Sequence, residues 1–192
     1  MSNPLYPIFL KTTQLHILIV GGGYVALEKL IFIFKSSPES RVTIVSPMLR
    51  GETASFIKGK KINYIQDKYN KSDLENAHIV IATTDSPEVN QKVFADCREK
   101  NILVNVADSP SQCDFYMGSI VTKGNLKIGI STNGKSPTFA KRLRQWLENF
   151  LPEQIDDILN KLYIYRSQIK GDFEQKVEAM NKVTENLIEE HD

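Results

Sequence analysis

The sequence predicts an α/β fold: a doubly wound parallel sheet, followed by a small α+β region and a helical C-terminal region. Three observations lead there. The apolar run Leu15-His16-Ile17-Leu18-Ile19-Val20 feeds Gly21-Gly22-Gly23-Tyr24-Val25-Ala26, after which Leu27, Leu30, Ile31 and Phe34 recur at helical spacing. Strand and helix patterns alternate as far as residue 113. Ile79-Val80-Ile81-Ala82 is apolar without alternation, which suits a parallel strand covered on both faces.

The first strand–turn–helix has the Gly-x-Gly-x-x-Ala form of a Rossmann-like dinucleotide-binding unit. Gly21 permits the tight turn, Gly23 lets backbone approach a pyrophosphate, and Ala26 lets helix and strand pack closely. The helix N-terminus then offers free N–H groups and a positive dipole end to phosphates. A bound nicotinamide or flavin dinucleotide is the functional reading, against a ligand-free structural turn. The acidic residue that usually ends the second strand and takes the ribose 2′-OH is missing, because Arg41-Val42-Thr43-Ile44-Val45 runs into Ser46-Pro47-Met48. Ser46 can hydrogen-bond a ribose, and Arg50 is close enough to suggest a 2′-phosphate partner, although a single arginine there is commonly just solvated. These residues leave NAD and NADP open.

The other elements follow in order. Strands are predicted near 15–20, 42–45, 62–65, 78–82 and 102–106, and helices near 24–36, 49–59 and 87–99. Ser86 caps the last of these helices, with Pro87 at its first position. Ser119-Ile120-Val121-Thr122, the turn Lys123-Gly124-Asn125 and Leu126 to Ser131 then read as an antiparallel hairpin. Ser136-Pro137 opens a helix with the stripe Phe139, Leu143, Trp146, Leu147 and Phe150, which Pro152 ends. Two amphipathic helices follow. One carries Ile155, Ile158, Leu159, Leu162 and Ile169; the other carries Phe173, Val177, Met180, Leu187 and Ile188, with Gly171-Asp172 between them. The expected organisation is a dinucleotide domain over 1–113, a hairpin-and-helix dimerisation region over 114–151 and a helical region over 152–192. A hairpin with so few helices cannot close a core alone, which favours a homodimer.

Bulk properties are those of an ordinary soluble domain. Of 192 residues, 41% are hydrophobic and 24% charged, and the net charge of +1 gives no global pull towards nucleic acid or membrane. No apolar run approaches the ~20 residues that span a bilayer, and Met1-Ser2-Asn3-Pro4 does not begin a secretory signal. Cys97 and Cys113 lack metal spacing and read as free thiols of a reducing, cytoplasmic compartment. His16, His78 and His191 form no ligand pair, so no metal site is assigned.

Four patterns could carry chemistry. Gly129 to Ser136 fits Gly-x-x-x-x-Gly-Lys-Ser, but Gly129 falls within an alternating strand, which leaves the phosphate loop too short. Tyr64 and Lys68 have the spacing of a short-chain dehydrogenase pair, yet on and just past a strand rather than on one helical face. Asn105-Val106-Ala107-Asp108 is read as a strand ending at Asp108, at the carboxyl edge where such folds bind ligands. Asp108 is there either a general base or the cap of the turn before Pro110. Lys135, Lys141, Arg142 and Arg144, with Lys123 and Lys127, surround the loop Ser131-Thr132-Asn133-Gly134. They are a solvated face or a polyanion site.

Together these segments resemble the precorrin-2 dehydrogenase family, the N-terminal part of siroheme synthase and its stand-alone relatives. The matching residues are Tyr6-Pro7-Ile8-Phe9-Leu10, Ile19 to Ala26, Val42 to Pro47, Ala82-Thr83-Thr84-Asp85, Asn105 to Asp108, Cys113-Asp114-Phe115 and Ile130 to Arg144. The resemblance implies NAD-dependent oxidation of precorrin-2 to sirohydrochlorin, in some relatives followed by insertion of ferrous iron, in a homodimer. It implies that Asp108 is catalytic and that NAD contacts lie at Tyr24, Val25, Pro47 and Met48; with the glycine turn Gly21, Gly22 and Gly23, Ser46 and Thr83, these make up the expected cofactor site. The tetrapyrrole carboxylates would meet Ser131, Thr132, Asn133, Gly134, Lys135 and Ser136. Ser109 stands where relatives often have a second acidic residue, which weakens a paired-carboxylate route to iron insertion. A non-catalytic NAD sensor is the competing class.

Overall fold

The computed structural model describes residues 3–185 and divides the chain into two compact units at 117/118. In the first unit the strands are β1 (His16–Val20), β2 (Arg41–Val45), β3 (Ile62–Ile65), β4 (Ile79–Ala82) and β5 (Leu103–Val106). They form one parallel sheet in the order β3-β2-β1-β4-β5, with the order reversing between β1 and β4. Helices α1 (Tyr24–Ser36), α2 (Gly51–Ile57) and α3 (Pro87–Lys100) connect them. Side chains alternate between two apolar layers. Leu18 and Val20 of β1 join Val45, Val80, Val104, Val93 and Cys97 on one face. Ile17 and Ile19 join Ala26, Leu30, Ile44 and Ile81 on the other. Both faces being covered is why these strands read as unbroken apolar runs.

Helix α2 is shorter than the predicted 49–59. Arg50 keeps an extended backbone and donates its N–H to Gly22 O at 2.9 Å, and Gly59 turns the chain at φ +74°. Strand β5 stops at Val106, so Asp108 lies two residues past the strand rather than at its end, with a left-handed φ of +58°.

The Cys113-Asp114-Phe115 segment closes the open edge of β5. Asp114 N–H donates to Val104 O (2.8 Å), Val104 N–H donates to Asp114 Oδ2 (2.9 Å), and Asn105 Nδ2 donates to Phe115 O (2.8 Å). Arg98 of α3 pairs with Asp114 at 2.6 Å, tying helix to edge. Asp114→Ala is therefore expected to destabilise the unit by about 1–3 kcal/mol, since it strands a backbone donor. A lowered urea midpoint at unchanged slope is the readout. Both cysteines are free thiols, and burial pushes that of Cys97 up to about 12.

The second unit begins with the antiparallel hairpin β6 (Ser119–Lys123) and β7 (Leu126–Ile130). Lys123 belongs to the strand, which leaves Gly124 and Asn125 as a two-residue turn. Asp156 holds that turn, accepting from Asn125 N and Nδ2 at 2.7 and 2.9 Å. Helices α4 (Pro137–Phe150), α5 (Ile155–Gln168) and α6 (Phe173–Thr184) follow. Ser136 caps α4, and Asp172 with Gln175 forms a capping box on α6. Among the described residues of this unit only Val121 and Ala140 are buried hydrophobics. Phe139, Trp146 and Phe150 remain 58–68% exposed, with Trp146 stacked on Phe150. Leu187, Ile188 and His191 lie outside the described residues. No helix among those described is long and apolar enough to cross a membrane.

Candidate functional site

The carboxyl ends of β1, β2 and β4 are laced together by backbone. Gly21 N–H donates to Val45 O (2.9 Å) and Thr83 N–H to Val20 O (2.8 Å); Thr83 Oγ1 donates to the same carbonyl (2.9 Å). The three glycines do different work. Gly21 has φ +118°, and a Cβ there would lie 2.7 Å from Thr83 Oγ1. A Cβ on Gly22 would lie 2.5 Å from Met48 O. On Gly23 it would find nothing nearer than Asp85 Oδ1 at 4.0 Å, so the open side of the turn is at Gly23.

Helix α1 starts immediately after Gly23, with no side-chain cap and no acidic residue in its first turn. The N–H groups of Tyr24, Val25 and Ala26 precede the first α-helical bond, that of Leu27 N–H to Gly23 O, and have no partner within the helix. An open glycine followed by unpaired donors at a positive dipole end fits a pyrophosphate.

At the end of β2 the ribose edge differs from the expectation. Ser46 is buried, and its hydroxyl proton goes to Met48 O at 2.8 Å. Its carbonyl accepts from Tyr64 OH. Ser46 thus shapes the loop and keeps only acceptor capacity for a ligand. Pro47 and Met48 are exposed beside it, and Tyr24 is 68% exposed. Arg50 is paired with Glu52 through Nε–Oε2 at 2.8 Å and a terminal nitrogen to Oε1 at 3.1 Å, and lies over the Tyr24 ring at 5.9 Å. Each partner favours the other's charged form, raising the Arg50 pKa and lowering that of Glu52.

Thr83 is buried and structural through both its donors. Asp108, exposed beyond β5, makes no side-chain hydrogen bond or ion pair among the described residues, and Ser109 caps the next turn without a side-chain bond. The turn-cap reading of Asp108 therefore has no hydrogen bond behind it. Two carboxylates to which the sequence assigns no site role border this edge. They are Asp85, beside Gly23, and Glu52, whose two-residue separation from Arg50 is not a recognised pairing interval on a helix.

In the second unit, Ser131 to Ser136 form a tight loop. Asn133 and Gly134 have φ +52° and +75°, Asn133 N–H donates to Ser131 Oγ, and Ser136 N–H donates to Thr132 Oγ1. The basic group is smaller than its sequence suggested. Arg144 pairs with Glu148 at 2.5 Å, and Lys123 is held by Leu151 O and Glu153. Among the described residues, Lys135 and Lys141 stay exposed without acidic partners, and Arg142 reaches only Gln145.

Comparison with known proteins places this geometry. Residues 8–119 match a family model described as "Putative NAD(P)-binding". The chain belongs to that NAD(P)-binding family. Residues 123–149 match a second model, "Sirohaem biosynthesis protein central". The siroheme synthase of Psychrobacter arcticus is 34% identical over 175 residues, covering 91% of this chain and 31% of that protein. That of Thioalkalivibrio sulfidiphilus is 32% identical over 184 residues, covering 96% and 37%. The chain thus spans about a third of the length of these curated relatives. A solved structure titled "SirC, precorrin-2 dehydrogenase" superposes with a TM-score of 0.70 at 24% identity, covering 93% of this chain and 89% of that one. The five-stranded parallel sheet, small antiparallel sheet and C-terminal helices are therefore a shared fold.

Proposed function

We propose that this protein is an NAD-dependent dehydrogenase that oxidises precorrin-2 to sirohydrochlorin. The observation carrying this reading is the order of the two family matches: an NAD(P)-binding segment over 8–119 runs directly into a sirohaem-biosynthesis segment over 123–149. Relatives named for siroheme synthesis and a shared fold with a precorrin-2 dehydrogenase support it.

NAD, when bound, accepts a hydride. Gly21, Gly22 and Gly23 shape the turn that would receive it, and the N–H groups of Tyr24 and Val25, without partners inside the helix, would hold its phosphates. Pro47 and Met48, both exposed, would hold its ribose, while Ser46 and Thr83 keep the loop and strand ends in place. Oxidation removes one hydride and one proton from the substrate, and Asp108 takes the proton. Ser131, Thr132, Asn133, Gly134, Lys135 and Ser136 engage substrate carboxylates, with Lys135 supplying an exposed cation.

The rest of the reading concerns assembly and a second step. The dimerisation region, expected over 114–151, would begin at 118, because Asp114 and Phe115 belong to the β5 edge; it would join a cytoplasmic homodimer in which the exposed Phe139, Trp146 and Phe150 are covered. Insertion of ferrous iron into sirohydrochlorin, giving siroheme, is a further step for which iron is a substrate. The test is anaerobic incubation with precorrin-2 and NAD, monitored by absorbance. Formation of sirohydrochlorin only when NAD is present supports the reading; no conversion by a folded, NAD-binding protein overturns it in favour of a non-catalytic sensor. Ferrous iron added to the product then tests chelation.

A further inference from the structure

The geometry points to Glu52 as the residue that sets the preference of the dinucleotide site for an unphosphorylated adenosine ribose, by occupying Arg50. The inference rests on the dinucleotide reading of the glycine turn. In folds of this kind the adenosine ribose lies at the end of the second strand, where a carboxylate takes the 2′-OH or an arginine takes a 2′-phosphate. Here β2 ends without a carboxylate, and the nearest cation beyond it is Arg50.

Arg50 is well anchored for that role. Its own N–H donates to Gly22 O, which ties it to the glycine turn, and its guanidinium lies over Tyr24, the first residue of α1. A lone arginine in this place would be a ready 2′-phosphate site. It is not alone: Glu52 takes Nε and a terminal nitrogen in a two-bond fork at 2.8 and 3.1 Å. That fork is the donor pair best suited to a phosphate's oxygens. A 2′-phosphate must displace the carboxylate and then lie beside its charge, whereas a 2′-hydroxyl meets no such repulsion. Glu52, on the first turn of α2, also brings to this edge the carboxylate that the end of β2 lacks.

Both side chains are more than half exposed, so the pair adds little to folding and its removal leaves the fold intact. The test is calorimetric titration of the full chain with NAD and with NADP, at low and raised salt. In Glu52→Gln the ratio of the NADP to the NAD dissociation constant is expected to fall about tenfold, mainly through tighter NADP binding, with a smaller fall at high salt. Adding Arg50→Met to that variant should return NADP binding to its starting weakness. An unchanged ratio in Glu52→Gln, with NAD still bound, overturns the inference alone. Binding of neither nucleotide by the unaltered protein overturns the dinucleotide reading and this inference with it.

Discussion

Asp108→Asn is expected to lower the rate of precorrin-2 oxidation by about 10²- to 10⁴-fold, the usual worth of a positioned proton acceptor. The unfolding midpoint and NAD affinity should stay near those of the unaltered protein. The choice of asparagine matters because Asp108 has φ +58°, a left-handed conformation that asparagine accepts and most residues resist. Alanine at this position would add about 1–2 kcal/mol of backbone strain and blur the comparison. No hydrogen bond is lost in the folded state, since the carboxylate has no partner among the described residues. Activity, circular dichroism and NAD titration on one preparation make the check. A variant that folds, binds NAD and turns over normally would return Asp108 to the role of a turn residue and leave the proton to water.

The same residue shows where sequence reading reaches and where it stops. The glycine turn is legible because an unbroken apolar run gives way across three glycines to a helix of period 3.6, a local signal. The buried alternation of Ile17, Leu18, Ile19 and Val20 followed from apolar character alone. The carboxyl edge is legible for Asp108 but its left-handed backbone is not, because nothing in Ala107-Asp108-Ser109 announces it. Ser46 looked like a ribose ligand because its proton's destination, Met48 O, depends on how the loop folds back. The basic group was overcounted for two different reasons. Arg144 and Glu148 are four apart on a helix, and that pairing could have been read from spacing. Lys123 and Glu153 lie thirty residues apart, and only the tertiary fold joins them. Asp114, matched as part of a motif, proves to be an edge clasp for β5, a role that needs the sheet to exist first.

Gly21→Ala and Gly23→Ala should fail in opposite ways, although the two glycines are neighbours in one motif. At Gly21 the backbone is at φ +118°, and an added Cβ lies 2.7 Å from Thr83 Oγ1 and 3.0 Å from Thr83 backbone atoms. Thr83 cannot yield easily, because its N–H and hydroxyl are both committed to Val20 O. Strain of about 1–3 kcal/mol at the dihedral adds to overpacking of about 1–3 kcal/mol. Gly21→Ala should therefore lose much of the unit's stability, seen as a large drop in the urea midpoint. Gly23 has no positive φ, and its added Cβ meets nothing within 3.4 Å. Gly23→Ala should thus fold like the unaltered protein yet bind NAD at least about tenfold more weakly, because the methyl group occupies the side from which a pyrophosphate approaches the backbone. Calorimetric NAD titration beside denaturant unfolding separates the two effects. Full NAD affinity in Gly23→Ala would move the phosphates away from the N-terminus of α1, and with them the assignment of Tyr24 and Val25.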